Sequence, residues 1–255
     1  MNDPGLEQAI RAAGGITELA RRIGISQPSV SNWERVPAAR VVAVEAATGV
    51  ARGTLRPDLY GAATGFDDIE AARAQEYALL ATLMAQPPEA VLLRALSRLD
   101  GGTTPLGAAH AMLAAAAAAH PVERIAREYF ELFIGVGRGE LLPYGSYYLT
   151  GFLYERPLAR LRADLERLGI EPAAGQSEPE DHAAILCEIM AGLASGKFPA
   201  PPEAQRQFFD RHLQPWIGRF FADMEGAVAA AFYRSVGAVG RLFIDIEARA
   251  FALPG

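Results

Sequence analysis

Apolar residues recur at three- and four-residue spacing along most of the chain, and no alternating run exceeds a few residues. That is the period of helices, not strands. The first stretches are short. Asp3-Pro4 offers a cap and a first-turn proline, and Gly14-Gly15 ends that helix. Ile16, Leu19, Ala20 and Ile23 form a one-sided stripe closed by Gly24. Ser26 is placed to cap a third helix, with Pro28 in its first turn and Val30 and Trp33 inward. A fourth helix is expected from about Ala38 to Thr48, apolar at Val41, Val42 and Val44.

Beyond the small, Gly-rich segment Tyr60-Gly-Ala-Ala-Thr-Gly65 the helices lengthen. Ile69, Ala72, Tyr77, Leu80, Leu83 and Met84 keep helical spacing up to Pro87-Pro88, and Val91, Leu92, Ala95, Leu96 and Leu99 resume it. An Ala-rich helix spans Pro105 to Ala119, and Pro121 opens another that carries Ile125, Tyr129, Leu132 and Phe133. Residues 135–145 read as irregular. Further stripes follow at Leu158, Leu161, Leu165 and Leu168, and at His182, Ile185, Leu186, Ile189, Met190 and Leu193. Aromatic-rich helices around Phe208 to Phe221 and Phe232 to Ile246 close the chain. The pattern predicts an all-α protein: a small helix-turn-helix domain over 1–60, a linker over 61–66, and a larger helical bundle over 67–255.

Composition supports this. The 255 residues are 51% apolar and 21% charged, which excludes disorder as the main state. The net charge of −6 is unevenly spread, with seven Arg and six acids in residues 1–60 and the surplus of acids beyond them. Cys187 is the one cysteine, so a disulfide framework and a multi-cysteine metal site are excluded, and its thiol is expected to be structural. The longest apolar stretch, Pro105 to Ala119, is too short and too weakly apolar to span a bilayer, and the N-terminus lacks a secretory signal. A cytoplasmic protein without membrane insertion is expected.

In the first domain two short helices meet at Ile23-Gly24-Ile25-Ser26, the layout of a helix-turn-helix. Its second helix would offer Gln27, Ser29, Ser31 and Asn32 to base edges, while Arg21, Arg22, Arg35 and Arg40 hold phosphates. The run GGITELARRIGISQPSVSNWERVPAARVVAVEAATG with LRPDLYG resembles the Cro-like antitoxin/repressor family of the YdaS type over about residues 8–61. The resemblance implies binding to duplex DNA. A module of charge +1 neutralises few phosphates, so a dimer or higher oligomer is expected to be the binding form.

The larger domain holds three candidate features: Glu128-Tyr-Phe-Glu-Leu-Phe-Ile-Gly135 with Gly137-Arg-Gly139, then Leu142-Pro-Tyr-Gly-Ser-Tyr-Tyr-Leu149, then Glu178-Pro-Glu-Asp-His182. The glycines follow a helix and lack a Gly-Lys-Ser/Thr ending, so a structural turn or exposed backbone for a peptide fits better than a phosphate loop. Ser177 and Glu180 have capping-box spacing, which would place the acids in a first helical turn. His182 falls on the apolar stripe. His110, His120 and His212 lack ligand spacing with it, so no metal site is expected. No nucleophile has a local signature, so neither catalysis nor a cofactor is expected.

Together the features are similar to the TorD/DmsD/NarJ family of molybdoenzyme chaperones, over about residues 66–250. The matching residues are Tyr129, Leu132, Phe133 and Gly135, then Gly137-Arg-Gly139, Pro143-Tyr-x-Ser146-x-Tyr148, Glu178, Asp181-His182 and Phe232-Tyr233. The resemblance implies binding of the twin-arginine signal peptide or N-terminal region of a molybdenum-cofactor oxidoreductase subunit, before export. It assigns peptide binding to Arg138, Pro143, Tyr144, Ser146, Tyr148, Glu178, Asp181 and His182. A dicationic peptide with an apolar middle suits carboxylates beside tyrosines. The domain order suggests a chaperone that also controls its client's operon. The alternative is a helix-turn-helix transcription regulator with an all-helical effector or dimerisation domain.

Overall fold

The computed structural model describes residues 3–60, 65–173, 175–201 and 203–253, so residues 61–64 of the expected linker lie outside the described ones. The chain divides into two compact units, residues 1–70 and 71–255. It is all-α, with no strand among the described residues.

The first unit contains α1 (Pro4–Ala13), α2 (Ile16–Arg22), α3 (Gln27–Ser31), α4 (Val41–Thr48), α5 (Arg52–Leu55) and α6 (Pro57–Tyr60). Asp3 caps α1 by accepting from the Gly5 N–H at 2.9 Å, one turn ahead of the buried Leu6 and Ala9. The Ile25 N–H donates to the Ala20 carbonyl, which folds α3 back beside α2. Leu6, Leu19, Val30, Val36, Val41, Val44 and Leu55 close one small core. The expected fourth helix is α-helical only from Val41; Ala38–Arg40 is a 3-10 turn. Val42 does not join the core and is 58% exposed. Successive helical residues lie about 100° apart, so burying Val41 and Val44 turns Val42 outward.

The second unit begins within α7 (Gly65–Ala85) and continues with α8 (Ala90–Leu96), α9 (Pro105–Ala119), α10 (Val122–Tyr129), α11 (Gly145–Thr150), α12 (Arg156–Leu168), α13 (Ala183–Ala194), α14 (Ala204–Phe208), α15 (Ile217–Gly226) and α16 (Phe232–Ala252). α10 and α14 run on into π-helical turns, Phe130–Ile134 and Phe209–Leu213. Tyr77, Phe209, Phe220, Phe221, Phe232 and Tyr233 lie wholly inside a single core. Each such ring stabilises the fold by about 1.5–3 kcal/mol relative to exposure. α15 lies against α16 across Gly240, where a Cβ would fall 2.4 Å from the Phe221 ring. Several apolar positions expected inside face solvent, Ile69, Ala72, Val91, Ala95 and Leu99, with Leu93 and Leu96 forming the buried side of α8.

Polar side chains finish what the apolar core begins. The Tyr233 and Tyr129 hydroxyls donate to the Leu83 and Met84 carbonyls at 2.9 and 3.1 Å, in the last turn of α7. The buried Glu128 carboxylate accepts from the Ala231, Phe232 and Tyr233 N–H groups at 2.7, 3.1 and 2.6 Å, closing the start of α16. Glu247, also buried, accepts from Arg73 and from the Tyr77 hydroxyl. The Phe232-Tyr233 pair and Glu128 therefore serve the core.

Cys187 is wholly buried, and burial pushes its thiol pKa up. It should resist alkylation by iodoacetamide in the folded protein and react once urea unfolds it, with Cys187→Ala leaving partner binding intact. Labelling of the native protein followed by mass analysis checks this.

Candidate functional site

The second and third sequence features are stitched together. Tyr144 and His182 form an isolated antiparallel bridge. The Gly145 N–H donates to the Asp181 carbonyl at 2.9 Å, and the Ala183 N–H donates to the Pro143 carbonyl at 2.8 Å. The Asp181 carboxylate, 3% exposed, accepts from the Ser146 N–H at 2.7 Å through Oδ2. Asp181 thus caps α11, a helix that the sequence pattern does not predict.

The capping expectation for the acids changes accordingly. The N-cap of α13 is His182, whose Nδ1 accepts from the Ala184 N–H at 3.1 Å. No acid lies in the first turn of α13. Glu178, Glu180 and Asp181 precede the helix, and each has another task. Glu178 accepts from the Tyr144 hydroxyl at 2.7 Å. Glu180 pairs with Arg162. His182 is inside, as the stripe implied, but as a cap and as an edge-on neighbour of the Tyr144 ring.

Two buried polar atoms here lack a partner: Asp181 Oδ1 and Ser146 Oγ. A buried acceptor without a donor costs about 1–3 kcal/mol, which makes this spot unusual. Asp181 also lines a cavity of about 540 Å³, floored by Leu161, Leu186 and Trp216 and edged by Leu149. Gly145 is packed directly against the Trp216 indole, which donates to the His212 carbonyl. Just beyond α11, Phe152, Leu153 and Tyr154 are exposed, Tyr154 with a left-handed φ of 60°. Burial, the Glu178 hydrogen bond, and the nearby Tyr154 and Asp181 all push the Tyr144 phenol pKa up. Glu178 is thus an exposed carboxylate beside aromatic side chains.

The remaining expected residues sit nearby. Arg138 donates to the Tyr147 hydroxyl at 2.9 Å and lies over that ring. Tyr148 donates to Asp223 at 2.9 Å and packs on Trp216 and Phe220. Burial and Asp223 push its phenol up. Of the expected set, Arg138 and Glu178 are exposed and Tyr144 and Tyr148 half-buried, whereas Pro143, Ser146, Asp181 and His182 are buried. The glycine-rich segment is a turn: Gly135 has φ 62°, and a Cβ there would fall 2.0 Å from the Arg138 carbonyl oxygen. Sequence reasoning passed over Trp216 and the exposed Phe152-Leu-Tyr154 run. The latter had a signal, three large apolar residues between two helices.

Burial lowers the His182 pKa to about 4, outweighing the nearby Glu178 and Asp181. His212 is lowered to about 4 too, by burial and by Arg211 and Arg167. Both are neutral when folded, while the unfolded chain takes up protons near an ordinary value of about 6.5. Their contribution is therefore present above about pH 6.5 and lost as pH falls toward 4. His182→Asn keeps a capping side chain, so its melting temperature should fall less steeply across that window than that of wild type.

In the first unit Gln27, Ser29, Ser31 and Asn32 are exposed on or at the end of α3. Gln27 donates to Ser31 at 2.7 Å, and Ser29 bonds Ser26. The expected phosphate contacts are engaged within the unit: Arg21 and Arg22 bond Glu18, and Arg35 reaches Asp58 at 3.4 Å. Arg40 is exposed. The paired arginines hold the Glu18 carboxyl down at about 2.

Comparison with known proteins follows the same division. Residues 100–222 match the family model described as nitrate reductase delta subunit, and residues 6–64 match that of the bacterial toxin YdaS. The chaperone protein TorD of Vibrio cholerae serotype O1 is 29% identical over 130 residues, 48% of this chain and 59% of that protein. TorD of Aliivibrio salmonicida is 28% identical over 138 residues, 50% and 64% of the two chains. The probable Tat proofreading chaperone DmsD of Haemophilus influenzae is 28% identical over 116 residues, 45% and 55%. The chain spans about three-fifths of the length of the curated relatives it matches. These relatives are chaperones by name and not enzymes, which supports a binding protein rather than a catalyst. No described helix is long and apolar enough to cross a membrane. The larger unit thus resembles the TorD/DmsD/NarJ family of chaperones, and the smaller one resembles the YdaS-type helix-turn-helix family.

Proposed function

We propose that this chain is a cytoplasmic chaperone that binds the twin-arginine signal peptide, or the N-terminal region, of a molybdenum-cofactor oxidoreductase subunit and assists its maturation before export. The observation that carries the reading is the unpartnered Asp181 Oδ1 beside an open cavity, with exposed aromatics next to it. A peptide guanidinium supplies the missing donor, and an apolar run covers Leu149, Phe152 and Tyr154. Arg138, Tyr144, Tyr148 and Glu178 frame the entrance; Pro143, Ser146 and His182 hold Asp181 in place. Capture of partners from native extract by the full chain, followed by mass spectrometry, tests the reading. An oxidoreductase subunit with a paired-arginine leader is the expected partner. Enrichment of DNA or of a small metabolite alone contradicts it and favours a transcription regulator.

The first unit adds a second role: binding of duplex DNA by a homodimer, through which the chaperone regulates its own operon. The match to a YdaS-type model and the exposed polar face of α3 support this. Glu18 restrains it, because its carboxylate occupies two of the arginines that would reach phosphates. Glu18→Gln should therefore strengthen binding to duplex DNA at low salt and steepen its salt dependence, since each released arginine adds about one unit to the slope. Fluorescence anisotropy over a salt series reads both. An unchanged slope would remove Arg21 and Arg22 from the interface.

A further inference from the structure

The cavity beside Asp181 is bipolar. Arg160, Asp164 and Arg167 follow one another at spacings of four and three residues, so α12 presents them on one face as a wall of that cavity. Arg211 and His212 complete the wall from the π-helical turn after α14. Its single carboxylate, Asp164, is shared among Arg167, Arg211 at 3.2 Å and His212 at 2.7 Å. Arg160 is exposed and, among the described residues, pairs with no carboxylate. Burial keeps His212 neutral, so it adds no charge. The wall therefore holds three guanidiniums against one acid, while the same cavity is also lined by Asp181, a 3% exposed residue whose Oδ1 has no partner.

A purely cationic segment fits only the second of these ends, because the wall repels it. A segment with a basic and an acidic side chain satisfies both, the carboxylate being taken by the planar forks of the arginines. We propose that the α12 wall, led by Arg160 and Arg211, receives a carboxylate of the bound client segment, so that this chaperone selects leaders carrying an acidic residue near their basic pair. The proposal rests on the peptide-binding reading above and adds the feature that distinguishes clients. Selection of this kind works by exclusion as well as attraction, since an acid-free leader leaves the wall uncompensated.

The test uses the full chain and short synthetic peptides with paired arginines followed by a Leu/Ala run. One series carries a single Glu stepped along successive positions; the other carries Gln at the same positions. Calorimetry should show a short window of positions where Glu binds about tenfold more tightly than Gln. That advantage should vanish in Arg160→Gln and shrink in Arg211→Gln, with thermal melts confirming that both variants are folded. Binding of the Gln peptides with no Glu advantage at any position overturns the wall and leaves the peptide reading intact. An advantage that survives in both variants overturns it as well, because the acid is then held elsewhere. Absence of binding by every peptide overturns the wall and the peptide reading together.

Discussion

Glu128→Ala should destabilise the protein by about 3–5 kcal/mol, a loss on the scale of breaking a buried charged pair. The carboxylate is 5% exposed and is the acceptor for three consecutive N–H groups at the start of α16. Alanine leaves all three donors without this partner, those of Phe232 and Tyr233 being buried, and each hydrogen bond to a charged group contributes about 1.5–3 kcal/mol. α16 is the longest element of the core beside α7 and supplies Phe232, Tyr233, Val236, Val239 and Phe243, so its fraying is felt throughout. Near two to four degrees per kcal/mol for a domain of this size, the melting temperature should drop by on the order of 10 °C. Glu128→Gln retains one acceptor oxygen and should fall between the two. Urea unfolding of the three proteins checks this. A loss below about 1 kcal/mol for Glu128→Ala would show that the α16 start is solvated in solution.

Asp181→Asn should act on binding. The substitution preserves shape and leaves an oxygen to accept from Ser146, so the cap on α11 persists. It removes the charge and places an amide where Oδ1 now lacks a donor. A guanidinium that relied on this oxygen loses a partly desolvated carboxylate, and affinity for a paired-arginine peptide should weaken about 10–100-fold. The folded protein meanwhile loses little, because the unpartnered oxygen makes no hydrogen bond within the chain that the substitution could remove. The two substitutions are therefore expected to separate: Glu128→Ala should act on folding and leave peptide affinity unchanged, and Asp181→Asn should act on peptide affinity with a small effect on folding.

The helices were legible in the sequence because their apolar stripes are continuous and their ends carry proline, glycine or a capping side chain. α9 was anticipated at both ends, from Pro105 to Ala119. Position on a stripe was less legible than the stripe itself: Val42 and Val91 are apolar yet turn outward, because only packing selects which side of a short helix is buried. The candidate site was legible as a set of segments but not as a geometry. Asp181 caps a helix that starts 36 residues earlier in the chain, and Glu128 caps one about a hundred residues later. Local spacing carries no record of such partners, so a capping box at Ser177 and Glu180 looked sufficient. The Arg wall on α12 escaped notice for a related reason: Leu158, Leu161 and Leu165 announce the buried face, and the charged face reads as solvated until α14 and its π turn fold against it.

One calorimetric titration decides whether Asp181 receives positive charge from a client peptide. A synthetic leader peptide with paired arginines and an apolar run is titrated into the full-length wild type and into Asp181→Asn, with thermal melts of both proteins in the same buffer. Expected are nearly equal melting temperatures, an affinity about 10–100-fold weaker for the variant, and a smaller salt dependence of that affinity. A lowered melting temperature with unchanged peptide affinity would contradict this and reduce Asp181 to the cap of α11.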